Sequence, residues 1–138
     1  MTFSFSSKYY DADSGELFDE LCTSACGFLE IKDGLFRIVY RESSEGQQTL
    51  TEMSFEKKEE ISLKKQGAAR YELSFIEGKK CAFLYYAPPL SFDAEVYTHS
   101  IKNSLCIVGG CVAVEYSMNV GGHRQRVLIS INAEAKEK

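Results

Sequence analysis

The stretch "YSMNVGGHRQRVLISIN", residues 116–132, decides the fold. After the Gly121-Gly122 pair, apolar side chains occupy alternate positions at Val127, Ile129 and Ile131. Alternation with a period of two is typical of a strand with one buried face. Two adjacent glycines permit the positive φ angles that a tight hairpin requires. The stretch therefore predicts two antiparallel strands that fold back on each other at the glycine pair.

The same alternation continues on both sides of this hairpin. The alternating segments are 3–5, 36–40, 61–63, 71–75, 92–98 and 112–118. Residues 50–55 are predicted to form another strand, and residues 81–87 are a nearly continuous apolar and aromatic run. Turn-forming residues separate many of them, at Asp33-Gly34, Glu45-Gly46, Glu77-Gly78 and Pro88-Pro89. Turns spaced about 8–12 residues apart are typical of an antiparallel sandwich or barrel.

The segment 14–31, "SGELFDELCTSACGFLEI", is compatible with two kinds of element. Its first half has apolar residues at helical spacing, and Ser14 is a suitable N-cap. However, its cysteines, serine and threonine are poor helix formers, and Gly27 interrupts the pattern. We predict a long curved strand with its bend at Gly27, and a helix in the first half is the alternative.

Short turns between successive strands favour an up-and-down meander. A meander of eight to ten twisted strands tends to close on itself, which removes exposed edges. A two-sheet sandwich is the alternative, but it usually needs longer crossovers, for which only residues 102–110 offer a candidate. We therefore predict an all-β fold with a single closed antiparallel up-and-down barrel over residues 1–132 and a flexible tail at 133–138.

Several segments carry a resemblance to a known family. They are "RIVYRES" (37–43), "YELSFIEGKK" (71–80), "LYYAPP" (84–89) and "GGCVAVEYSMNVGG" (109–122). In this order they resemble the YwiB-like family of small bacterial domains of unknown function. The resemblance implies a calycin, lipocalin-like β-barrel and brings no established reaction with it. The family pattern usually has a glycine after the proline at position 88, where this chain has Pro89.

Composition limits the class of protein. The chain has 138 residues, of which 44% are hydrophobic and 26% charged, as in an ordinary globular domain. Its net charge of −4 argues against a general nucleic-acid surface. We expect no membrane segment, because no apolar run approaches the roughly 20 residues that a spanning helix needs. The odd number of cysteines and the lack of a signal-peptide pattern favour a cytoplasmic protein with reduced thiols.

The residues with catalytic chemistry lack a motif. His99 and His123 are the acid–base candidates, but neither has a partner at motif spacing. Cys22 and Cys26 are separated by three residues, which is not zinc-knuckle spacing. We therefore predict no catalytic site, no metal site and no cofactor.

Aromatic residues carry the functional prediction, since the chain has eight tyrosines and nine phenylalanines. A barrel of this size is either filled by side chains or holds one small ligand. We expect a filled lower half, an open mouth, and a small apolar or amphipathic ligand that binds without catalysis. Its acidic headgroup would meet an arginine, and the candidate contacts are Arg37, Tyr40, Arg41, Tyr86, Thr98 and Tyr116.

Two alternatives remain open at this point. The apolar run Cys81–Ala87 would suit a protein-interaction or homodimerisation module with a side-chain-filled barrel. An enzyme with its site at the barrel mouth is the other alternative.

Overall fold

The protein is an antiparallel β-barrel. The computed structural model describes residues 2–32, 35–44, 46–57, 60–67, 69–87, 89–105, 109–120 and 123–134. The strands are β1 Thr2–Asp11, β2 Leu17–Lys32, β3 Leu35–Ser44, β4 Gln47–Lys57, β5 Glu60–Gln66, β6 Arg70–Ile76, β7 Lys80–Ala87, β8 Leu90–Asn103, β9 Gly109–Val120 and β10 His123–Glu134. Each strand pairs with its neighbour in sequence, and β1 pairs with β10 to close the barrel. The predicted all-β, closed, up-and-down architecture is confirmed.

The hairpin formed by β9 and β10 has the predicted register. Val112 lies opposite Ile131, and Tyr116 lies opposite Val127. The other edge of β10 pairs with β1, from Thr2 opposite Glu134 to Asp11 opposite Gln125. This hairpin therefore supplies the closing edge of the barrel.

Several sequence predictions fall outside the described residues. They are the turn at Gly121-Gly122, the turn at Asp33-Gly34, Glu45, Pro88, and residues 135–138 of the expected tail. Ala133 and Glu134, the first two residues of that tail, belong to β10.

Residues 17–32 form one strand, as we predicted in preference to a helix. The half of β2 before Gly27 pairs with β1, and the half from Gly27 onward pairs with β3. A Cβ atom on Gly27 would lie 2.3 Å from the carbonyl oxygen of Val39 and 2.8 Å from the Cβ of Tyr40. Glycine is therefore the residue that allows β2 and β3 to approach at the point where β2 changes partners.

Alternation places one set of side chains inside the barrel and the other outside. One end of the interior is filled, and we call it the closed end. Its side chains are at most 4% exposed and include Phe3, Ile38, Phe55, Ile61, Val96 and Val112. Across the described ranges, no helix is long and apolar enough to cross a membrane.

Candidate functional site

A cavity of about 610 Å³ occupies the rest of the barrel interior. All ten strands contribute inward side chains to its wall. Most are aliphatic or aromatic and include Phe5, Leu21, Met53, Leu73, Phe75, Phe83, Phe92, Met118 and Ile129. This volume lies within the range of about 300–1,000 Å³ that is usual for small-molecule sites, which are also mainly apolar. The cavity therefore has the size and the lining of a ligand pocket.

Part of this apolar lining remains in contact with solvent. Leu21 and Phe92 both line the cavity, yet they are 52% and 38% exposed. The pairing of β2 with β3 ends at Gly27 and Tyr40, although both strands continue beyond that point. Within the described residues, the part of β2 that contains Leu21 therefore forms no backbone pairs with β3. Covering such exposed apolar surface is favourable at roughly 25 cal/mol per Å².

A cluster of five tyrosines supplies hydroxyl groups to the cavity, at Tyr9, Tyr40, Tyr71, Tyr85 and Tyr116. The rings of Tyr71 and Tyr85 stack with centroids 5.5 Å apart. Burial raises the pKa of Tyr40, Tyr71 and Tyr116 above the usual tyrosine range. The negative charge of Glu42 adds to the effect of burial on the pKa of Tyr40. These three phenols therefore remain protonated and act as hydrogen-bond donors.

Two charged side chains, Glu42 on β3 and Lys65 on β5, line the described cavity wall. Both are half-buried. Glu42 lies two residues from Tyr40 on β3, close enough for its negative charge to raise the pKa of the Tyr40 phenol. Lys65 has Thr51 opposite it on β4 and Tyr71 opposite it on β6. Among the described residues, no ion pair or hydrogen bond engages the Lys65 ammonium group.

Three of the six predicted contact residues lie inside the barrel. Tyr40 and Tyr116 line the cavity. Thr98 is fully buried but does not belong to the cavity lining, and its hydroxyl has no hydrogen-bond partner within the described part of the chain.

The other three predicted contact residues lie on the outer surface. Arg37 pairs with Glu52 at 3.0 Å, Arg41 is exposed, and Tyr86 is 45% exposed. The physical reason is strand alternation, because Arg37 and Arg41 are an odd number of residues from inward-facing Tyr40. This placement corrects the expectation that an arginine faces the cavity.

Sequence reasoning missed Glu42 and Lys65, although the period-two pattern contained the signal. Glu42 is two residues from Tyr40, and Lys65 is two residues from Leu63. Side chains two positions apart in a strand share a face, so the inward orientation of Tyr40 and Leu63 implies that Glu42 and Lys65 also point inward.

The histidines and cysteines do not enter the cavity lining within the described residues, except that Cys81 packs beside it against the core. His99 lies on the outer face, at a bulge where the register of β8 shifts, with its Nε2 atom 2.6 Å from Ser117 Oγ. Burial and the charge of Arg126 lower its pKa. The His123 side chain and Cys106 lie outside the described residues.

Four cysteines are free thiols, namely Cys22, Cys26, Cys81 and Cys111. In the described part of the chain, no group of three or more His, Cys, Asp or Glu side chains is placed to hold a metal ion.

Comparisons with known proteins agree with this architecture. The crystal structure of the YwiB protein from Bacillus subtilis superposes with a TM-score of 0.75, covering 97% of this chain and 92% of that one at 21% identity. This likeness shows a shared fold. No match was found among curated proteins. The family model of the domain of unknown function DUF1934 matches residues 7–128. The YwiB-like resemblance is thereby confirmed, and the chain belongs to the DUF1934 family of domains of unknown function.

Proposed function

We propose that this domain binds a small, partly apolar ligand in the barrel cavity and does so without catalysis. The observation that carries the proposal is the cavity of about 610 Å³, whose lining is mainly apolar and partly exposed. A ligand would remove that surface from water, while a few polar groups would set its orientation.

The polar groups that line the cavity are better suited to binding a ligand through hydrogen bonds than to catalysing a reaction. Tyr40 and Tyr71 have raised pKa values because they are buried, so each phenol donates a hydrogen bond and does not serve as a base near neutral pH. The Glu42 carboxylate lies beside Tyr40, and its negative charge adds to the rise in the pKa of that phenol. We also propose a cytoplasmic location, which the exposed free thiols of Cys22 and Cys26 support.

Filling the cavity with a bulky side chain is expected to weaken ligand binding. Ser7 lines the cavity, whereas Ser6 lies in a shallow groove on the outer surface of the same strand. Ser7→Trp should lower the affinity for the neutral probe N-phenylnaphthylamine at least about tenfold, or roughly 1.4 kcal/mol, because the indole takes the volume that the probe needs. Ser6→Trp should change the affinity by less than about twofold. Probe fluorescence measures both affinities.

The two variants also control for folding. The natural chain has no tryptophan, so each variant carries a single indole. Its emission should be blue-shifted at position 7 relative to position 6, and both variants should retain the circular dichroism of the parent. Absence of probe binding to the natural protein, or equal affinities for both folded variants, would contradict the proposal.

We propose homodimerisation through β7 as a second candidate function. Leu84 and Tyr86 point outward from β7 and are 54% and 45% exposed. Within the described residues, the backbone pairing of β7 with β6 is limited to Arg70 opposite Tyr86, so much of this edge of β7 is unpaired there. An exposed apolar strand edge is suited to pairing with a second copy.

Light scattering tests this second candidate. The natural protein should have the mass of a dimer, and Leu84→Lys should shift it toward the monomer because it places a charge in the interface. Phe28→Lys is the matched control, because Phe28 is also an exposed apolar residue but lies on β2, on the opposite part of the barrel wall, and it should leave the mass unchanged. A natural protein that is monomeric at every concentration would exclude homodimerisation.

A further inference from the structure

Lys65 is a cation that faces an apolar cavity. On β5, Ile61 is fully buried, Leu63 is 9% exposed, and Lys65 continues the same inward face. Its cross-strand neighbours are Thr51 and Tyr71, which carry no opposite charge. Removing an ammonium group from water is costly unless an anion or several acceptors replace the water. The position therefore requires a counter-charge when a ligand displaces solvent from the cavity.

Glu42 does not supply that counter-charge in the structure. Its carboxylate lies beside the neutral phenol of Tyr40, whose pKa it helps to raise, and no ion pair joins it to Lys65 among the described residues. The Glu42 charge therefore already has a neutral donor beside it, while the Lys65 charge has no described acceptor. This asymmetry makes the cavity more receptive to an anion than to a cation.

The phenols reinforce this preference. Tyr71 lies directly across from Lys65, and its pKa is raised by burial and by the neighbouring Tyr85 hydroxyl. Tyr116 is likewise held protonated, by burial first and by Tyr9 second. Protonated phenols and an ammonium group together present donors, and an anionic oxygen accepts several hydrogen bonds at once.

We infer that the ligand is an amphipathic anion whose acidic group pairs with Lys65 and whose apolar body lies deeper in the cavity. This inference rests on the proposed ligand-binding function. The body would contact Leu73, Phe75 and Val114, which line the cavity wall. A carboxylate and a phosphate monoester share the required acceptor oxygens, and the experiment below distinguishes them.

Calorimetric titration with four probes of equal chain length tests the inference. The probes are decanoate, decyl phosphate, decanol and decylammonium. We expect the natural protein to bind at least one of the two anions about tenfold or more tightly than decanol, because a charged hydrogen-bonded pair adds to the same apolar burial. Decylammonium should bind most weakly. The tighter of the two anions identifies the carboxylate or the phosphate class.

Two lysine variants isolate the role of the inward charge. Lys65→Met should lower the affinity for the preferred anion about tenfold while the affinity for decanol stays within about twofold. Lys64→Met is the matched control, because Lys64 is the preceding residue, lies on the exposed outer face and pairs with Glu72 at 3.6 Å. It should leave all four affinities unchanged.

The outcomes separate this inference from the function on which it rests. Equal binding of decanol and the anions, or no effect of Lys65→Met, would overturn the anion assignment and leave cavity binding intact. Tighter binding of decylammonium, lost in Glu42→Gln, would reverse the charge of the ligand and also overturn the assignment. If neither the four probes nor N-phenylnaphthylamine binds, the proposed function itself fails.

Discussion

Phe3→Ala is expected to lower the free energy of unfolding by about 3–5 kcal/mol. Phe3 is fully buried at the closed end, and its ring centroid lies 6.2 Å from that of Tyr40. It also lies on β1, opposite Ala133 of β10, at the seam that closes the barrel. Truncation would remove apolar contacts and leave a hole that ten hydrogen-bonded strands cannot easily collapse to fill.

Urea unfolding followed by circular dichroism measures this effect. The midpoint should fall while the slope of free energy against urea concentration stays the same. Phe28→Ala is the matched control, because Phe28 is 69% exposed on the outer face, and it should change stability by no more than about 0.5 kcal/mol. Equal losses in the two variants would mean that the closed end is not the core of the molecule.

The barrel is also expected to lose stability steeply above about pH 10. Burial raises the pKa of Tyr40, Tyr71 and Tyr116, so these phenols stay protonated in the folded protein after they ionise in the unfolded chain near pH 10. The folded state then binds more protons than the unfolded state, and stability falls as pH rises. The contribution is intact below that pH and is lost as pH rises toward the folded-state pKa values. Each tyrosine adds a slope of up to about 1.4 kcal/mol per pH unit.

Urea unfolding at a series of alkaline pH values gives this slope directly, and phenolate absorbance reports ionisation in the same samples. Tyr116→Phe should make the fall in stability with rising pH less steep by the contribution of one tyrosine, because phenylalanine has no proton to release. A stability that stays constant from about pH 9 to 12, despite ionisation in the unfolded chain, would show that these phenols are not buried.

The architecture was predictable because alternation and turn spacing are local properties of the sequence. The faces of residues 112–118 and 127–131 follow from period two alone, and the barrel follows from many such strands joined in order. Segment 14–31 was harder, because its strand form depends on pairing with β1 and β3, which are distant contacts. Tertiary pairing overrode the helical spacing of its apolar residues.

The cavity lining was only partly predictable. Strand alternation counted from the inward-facing Tyr40 places Glu42 inside the barrel and Arg37 outside. The same alternation counted from Leu63 places Lys65 inside. The prediction of an arginine in the cavity rested only on the chemistry of its side chain. Alternation fails at His99, since the bulge there lets both Thr98 and Ile101 face the interior. Which end of the barrel is hollow depends on how far the ten strands are shifted along one another. No local sequence pattern indicates that shift.

The central claim is that ten strands enclose an apolar hollow that accepts a ligand at one end of the barrel. Diffraction from crystals grown with a bromine-terminated decanoic acid tests it most directly, since anomalous scattering locates the bromine without reference to any starting coordinates. The account predicts a bromine inside the barrel near Leu73, Phe75 and Val114, with the carboxylate toward Lys65. A barrel interior filled throughout by side chains, with bromine bound only on the outer face, would contradict it.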